Sequence, residues 1–252
     1  MGKAKDIILR PVTAQEANAL VKRVHYSGKV VNNSQLHIGV FYHGKLEGAM
    51  QFGPSLDKRK IQGLVSDTAW HEFIELNRLA FTDVLPRNSE SRALAVAMKL
   101  LRKHAPQVKW VVTFADGTQC GDGTIYRAAG FVLTGISSRN VLIRLPSGEV
   151  IHRIAANTNH KLVMEYGGSM MGAARLAAQL GGERLDGAML RYIYFIDPTY
   201  RQRLTVPELP YSAIADAGAR MYRGERLDTR PVNGDDLATS EAGRFNSEPG
   251  AL

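Results

Sequence analysis

The stretch that most limits what this chain can become runs from Trp110 to Gly135, WVVTFADGTQCGDGTIYRAAGFVLTG. Lys109 to Ala115 is a mostly apolar run with the length of a strand buried on both faces. Asp116 to Gly123 is a glycine-rich loop, and Thr124 to Ala129 reads as a short helix. Gly130 suits the position just past that helix, because glycine takes left-handed backbone angles without a Cβ clash. Phe131 to Ile136 then opens another strand. A buried strand, a loop, a short helix and a second strand in so little chain demand a sheet with helices layered on it.

The flanking sequence supplies the rest of those layers. Asp6 to Val12 predicts a first strand, and Thr13 with Glu16 three residues on has capping-box spacing. The helix that follows reaches about Arg23 and places Ala17, Leu20, Val21 and Val24 on one side. Leu36 to Tyr42 and Lys45 to Phe52 predict a hairpin turned at His43-Gly44. Asp57 to Lys60 reads as a basic loop, Phe73 to Phe81 as a strand, and Ser89 to His104 as a helix with Leu94, Met98 and Leu101 inward, ended by Pro106. Val141 to Leu145 and Ala188 to Ile196 are further strands, with an Ala/Met/Leu-rich helix over Ser169 to Leu180. The order β-α-β-β-β-α-β-α-β predicts an α+β fold, a mixed and mostly antiparallel sheet flanked by helices. One domain is expected over residues 1–215, with a helical insertion at 151–187 before the last strand. The Gly, Asp, Ser, Pro and Arg content of 223–252 predicts a disordered tail.

Charge narrows the partners. Lys and Arg number 32 against 24 Asp and Glu, a net +8, an excess compatible with phosphate-rich ligands. Lys58, Arg59, Lys60, Arg139, Arg201 and Arg203 are candidate phosphate contacts, although charge runs are commonly no more than solvated faces. Cys120 is the single cysteine, which excludes an internal disulfide and suits a reducing cytoplasm. No apolar run has the roughly 20 residues that span a bilayer, so no membrane partner is expected.

The Trp110–Gly135 stretch resembles the acetyl-CoA half of GNAT acyltransferases. In that family a helix tyrosine, here Tyr126, donates a proton to the departing thiolate; packing on the sheet would account for the same residue. The family also puts a glycine-containing pyrophosphate loop at a helix N-terminus, where amides and dipole attract anions. Here that segment is Leu85-Pro-Arg-Asn-Ser-Glu-Ser-Arg-Ala93. Arg87 keeps the lead position but the glycines are missing, and Glu90 and Arg92 stand in their place. Arg87, Ser89, Ser91 and Arg92 are the candidate donor-binding side chains; on local sequence alone, a capped helix with a solvated charged first turn is the commoner reading.

Taken together, HYSGK (His25–Lys29), ELNRLAF (Glu75–Phe81), LPRNSESR (Leu85–Arg92), WVVTFAD through GTIYRAAGF, LRYIYFIDPTYRQRL and LPY resemble the phage Mom proteins over roughly residues 20–212. That resemblance implies a transferase that adds a methylcarbamoyl (acetamido) group to adenine N6 in double-stranded phage DNA, in the host cytoplasm, shielding it from restriction. It implies catalytic roles for Tyr126, Asp116, His25 and Tyr26, and a donor-facing Arg78. The family is associated with iron, for which His25 and Asp116, with Tyr26 nearby, are the mixed N/O ligands. The donor is acetyl-CoA or another acyl or glycyl carrier, since plain acetyl transfer does not make a bond through the methylene carbon. A conventional N-acetyltransferase and a non-catalytic DNA-binding protein stay open as alternatives, as does the choice between monomer and homodimer.

Overall fold

The computed structural model describes residues 3–117, 121–152 and 173–217, together with 221–222 and 225–226. Its centre is an eight-stranded sheet in the order β1-β2-β3-β4-β5-β8-β6-β7. The strands are β1 (Ile8–Pro11), β2 (Leu36–Tyr42), β3 (Lys45–Gly53), β4 (Phe73–Phe81), β5 (Trp110–Asp116), β6 (Val132–Arg144), β7 (Val150–His152) and β8 (Glu183–Phe195). The helices are α1 (Ala14–Val24), α2 (Lys58–Gln62), α3 (Ser89–His104), α4 (Thr124–Ala128), α5 (Ala173–Gln179) and α6 (Ser212–Asp216). A two-residue ladder, β9 (Met221–Tyr222) with β10 (Glu225–Arg226), stands apart.

Every named ladder in the large sheet is antiparallel except β4 with β5. That parallel pairing covers only Phe73↔Trp110 through Leu76↔Thr113. Beyond it, β4 continues to Phe81 and β5 to Asp116 without pairing to each other, so the sheet divides. A bulge contributes to the division: Gln51 faces Arg78 and Phe52 faces Leu76, which leaves Asn77 as the extra residue of β4. Bulges bend a strand and increase its twist. The Thr113 hydroxyl donates to the Leu76 carbonyl at 3.2 Å where the ladder ends.

The bulge also resets which way β4 side chains point. Ile74 and Leu76 join the core under α3 and α4 before it, and Leu79 and Phe81 join that core after it. Phe73, Glu75, Arg78 and Ala80 therefore share the opposite face, the side on which α1 buries Ala17 and Leu20 against Ala49 of β3.

The structure bears out the expected mixed, mostly antiparallel sheet between helices. Thr13 and Glu16 form the complete capping box, with Thr13 N–H to Glu16 carboxylate at 2.8 Å and Glu16 N–H to Thr13 Oγ1 at 3.2 Å. His43 and Gly44 both take positive φ, 48° and 78°, the requirement of a tight type I′ hairpin. Three local expectations are corrected. Asp57–Lys60 is no open loop: Asp57 caps α2 by accepting from Lys60 N–H at 3.3 Å, and Ile61 anchors it in the core. Phe131–Ile136 and Val141–Leu145 belong to one long strand, β6, carried through by register shifts at Leu133/Gly135 and Ser137/Asn140. β8 begins at Glu183 rather than Ala188, because its first residues pair with the far end of β6. Of the insertion expected at 151–187, the described parts are the end of β7, α5 and the start of β8. Most of the tail expected at 223–252 lies outside the described residues.

Candidate active site

The loop leaving α1 and the bulged strand β4 come together on the α1 side of the division. His25 ends α1, turning the chain into extended backbone at ψ 135°. Its Nδ1 accepts from Ser27 N–H at 3.2 Å and lies 2.9 Å from Ser27 Oγ. The accepted bond leaves the ring proton on Nε2 in the neutral form. Tyr26, 48% exposed, sits with its ring centroid 4.3 Å from that of His25. Arg78 joins the two segments: its Nε donates to the Lys29 carbonyl at 2.9 Å and its Nη1 to the Asn77 carbonyl at 2.7 Å.

Burial dominates the electrostatics of this cluster. Desolvation first, then the nearby Arg78 charge, lower the His25 pKa to about 4. Desolvation raises the Glu75 carboxyl above the ordinary carboxylate range, against the pull of Ser55, Asn77 and Arg78. Burial lowers Arg78 while Tyr26 and Glu75 hold its proton on. The Asn77 Oδ1 is buried at the bulge against Gly53, without a hydrogen-bond partner among the described residues. A group neutral in the folded chain and protonated in the unfolded one costs stability as pH falls. Stability linked to His25 should thus be whole above about pH 6.5 and decline toward pH 4, by about 1–3 kcal/mol. Thermal melts of His25→Asn across pH 7 to 4 should lack that part of the wild-type slope; an identical slope would refute the assignment.

On the other face, β5 leads into α4, which carries Tyr126. The Tyr126 ring is buried (7% exposed), 5.6 Å from Phe131 and 5.5 Å from Tyr192 between centroids. Tyr192 is fully buried on β8 and donates its phenol to the Asp122 carbonyl in the loop before α4. Burial first, then Asp122 and the neighbouring tyrosines, raise its pKa, so it remains a neutral donor. Tyr211 closes the outside, donating to the Phe131 carbonyl at 3.0 Å beneath the Arg127 guanidinium.

The N-terminus of α3 lies on this same side. Asn88 precedes it at φ 69° with no side-chain cap, so asparagine supplies the left-handed turn for which glycine is the usual residue. Ser89 is buried and donates to the Pro86 carbonyl at 2.6 Å, and Ser91 donates to the Asn88 carbonyl at 3.3 Å. Both hydroxyls therefore serve the turn. Arg87 is exposed, whereas Arg92 Nε is buried with no hydrogen-bond partner among the described residues.

Residues 6–213 match the Mom protein family. This chain belongs to that family. It is 34% identical over 202 residues, 80% of each chain, to the methylcarbamoylase mom of Escherichia phage Mu. Among solved structures, this Mom family member is similar to a Bacillus subtilis acetyltransferase in complex with CoA, at 11% identity and TM-score 0.41, covering 75% of this chain and 97% of the other. It is also similar to the spermidine/spermine N-acetyltransferase of Vibrio cholerae in complex with manganese ions, at 8% identity and TM-score 0.43, covering 79% and 98%.

The remaining candidate residues of this Mom family member are dispersed. Asp116, buried at the end of β5, falls by strand alternation on the face of Trp110, Val112 and Phe114, the α1 side rather than the Tyr126 side. Among the described residues no group of three His, Cys, Asp or Glu side chains that could hold an ion forms around His25 and Asp116. One His25 ring nitrogen is also already engaged by Ser27. Arg59 and Lys60 are exposed on α2, and Lys58 lies over the Trp70 ring at 4.3 Å. Arg201 is held by both Glu208 oxygens at 2.6 Å, and Arg203 lies over Tyr200 and donates to the Asp67 carbonyl. Both sit beyond the end of β8 that pairs with Trp110, away from Asp116. A concavity of about 420 Å³ beside Arg102, Val108 and Asp197 lies at that remote end too. The Arg139 side chain lies outside the described residues. Glu75, Asn77, Ser55 and Tyr192 were not singled out in the sequence; the bulge that gathers the first two has no local signature.

Proposed function

We propose that this chain is a DNA-modifying transferase that places a methylcarbamoyl (acetamido) group on adenine N6. The reading is carried by one observation: the HYSGK and ELNRLAF segments meet on one side of the β4–β5 division, while LPRNSESR and GTIYRAAGF approach it from the other. Adenine enters on the α1 side, and Glu75, with its raised proton affinity, takes one N6 hydrogen as N6 attacks. The donor lies on the α3–α4 side, its anionic part near Arg92, Arg87 and the uncapped first turn of α3. The bond from N6 to the transferred carbon forms as the bond to the leaving group breaks, and Tyr126 protonates that group. His25 stays neutral and, with Arg78, holds the adenine-side loop in place.

Attachment through the methylene carbon requires a donor of the form X–CH2–C(=O)NH2, with the leaving group X on that carbon; acetyl-CoA and a glycyl ester both carry their leaving groups on the carbonyl carbon and do not meet it. Nucleoside mass spectrometry on plasmid DNA from cells expressing the chain tests the reading. A heavier deoxyadenosine is expected with the wild type, and Tyr126→Phe should lower its yield by about 10²-fold or more while staying soluble. Unmodified DNA from well-expressed wild type would discard the proposal.

A further inference from the structure

Leu56 is 99% exposed, the most exposed of the large apolar residues among those described. A single exposed leucine is ordinary, but this one is fixed on both sides. Ser55 before it is buried beside Glu75 in the candidate site. Asp57 after it caps α2, whose Ile61 is in the core. The side chain is thus presented on short, anchored chain next to the reacting cluster. Beside it stand Arg59 and Lys60, exposed, and Lys58, seated over a half-exposed Trp70. Glu75 is part-buried, and the edge of a base still stacked in a duplex is concealed from it.

Resting on the adenine-modification reading, we propose that Leu56 is a positioning residue that wedges into the DNA stack and occupies the space of the extruded adenine. The basic turn of α2 supplies the charge complementarity, holding the flanking phosphates. Apolar wedges of this size part base steps and kink the duplex. Extrusion is how enzymes reach a base atom that the stack conceals. The same mixture of apolar and basic side chains would suit an anionic membrane surface; adjacency to Ser55 and Glu75 favours DNA.

The test uses the full chain and a duplex with 2-aminopurine at an adenine position that the protein modifies in cells. Wild type should raise the fluorescence several-fold as the base unstacks. Leu56→Ala should give little rise at saturating protein on the matched duplex, yet a wild-type rise when the position opposes an abasic site, where unstacking is already easy. Arg59→Ala with Lys60→Ala should instead weaken binding and reduce the slope of log K against log salt by about 2. A wild-type fluorescence rise from Leu56→Ala on the matched duplex overturns the wedge while leaving the modification reading intact. So does a loss that the abasic site fails to rescue, or Leu56-dependent binding to phosphatidylserine vesicles with the duplex response unchanged. If no adenine is modified in cells by the wild type, the modification reading itself fails and the wedge falls with it.

Discussion

Glu75→Gln is expected to cut adenine modification by about 10²–10⁴-fold, the usual contribution of a general base. The amide keeps the size of the side chain and one acceptor oxygen, so the neighbouring Ser55, Asn77 and Arg78 keep a side chain of similar shape beside them. What it cannot do is take a proton. The loss should therefore be read in product yield at matched expression, with thermal stability within about 1 kcal/mol of wild type. Wild-type activity should also decline on the acid side. Burial raises the Glu75 pKa, and a base must be ionised, so the acid limb lies above the range of an ordinary carboxylate. His25 cannot produce that limb if its pKa is about 4. Full modification by Glu75→Gln, or an acid limb unchanged in the residue that remains, would remove Glu75 from the chemistry.

Much of the fold was legible because its signals are local. Thr13 and Glu16 are three residues apart and need only each other to start α1. His43-Gly44 carries its own turn chemistry, and the apolar faces of α3 and β5 repeat within a few residues. The acidic half of the site was not legible for the opposite reason. Glu75 and Arg78 are three apart in a strand, a spacing that ordinarily sends side chains to opposite faces. Only the bulge at Asn77, defined by the register of β3, puts them on one face. Asn88 shows the same limit. Its motif lacks the expected glycines, yet asparagine makes the left-handed turn. Arg201 and Arg203 are candidate phosphate contacts by charge alone; that Glu208, Tyr200 and Asp67, some of them distant in sequence, also engage them is visible only in the fold.

Gly123→Ala is expected to be the most damaging small substitution on the Tyr126 side, and its partner Gly130→Ala explains why. Both glycines have left-handed backbone, φ 77° and 90°, so each variant carries the conformational cost of about 1–2 kcal/mol. They differ in what the new methyl meets. At Gly130 the nearest atom is Tyr194 Cε2 at 3.5 Å, an ordinary contact, whereas at Gly123 it is Tyr192 Cε2 at 2.6 Å. Tyr192 is fully buried, and its hydroxyl is tied to the Asp122 carbonyl, so the ring has no free direction in which to yield. Overpacking adds to the strain, for a total of about 2–4 kcal/mol. Any accommodation moves Tyr192 or the loop, and Tyr126 rests on both. Gly123→Ala should accordingly melt well below Gly130→Ala and lose modification, while Gly130→Ala keeps it. Equal melting temperatures would mean the Tyr192 contact yields freely. Retained modification in Gly123→Ala would mean that the reaction does not depend on where Tyr192 and this loop set Tyr126.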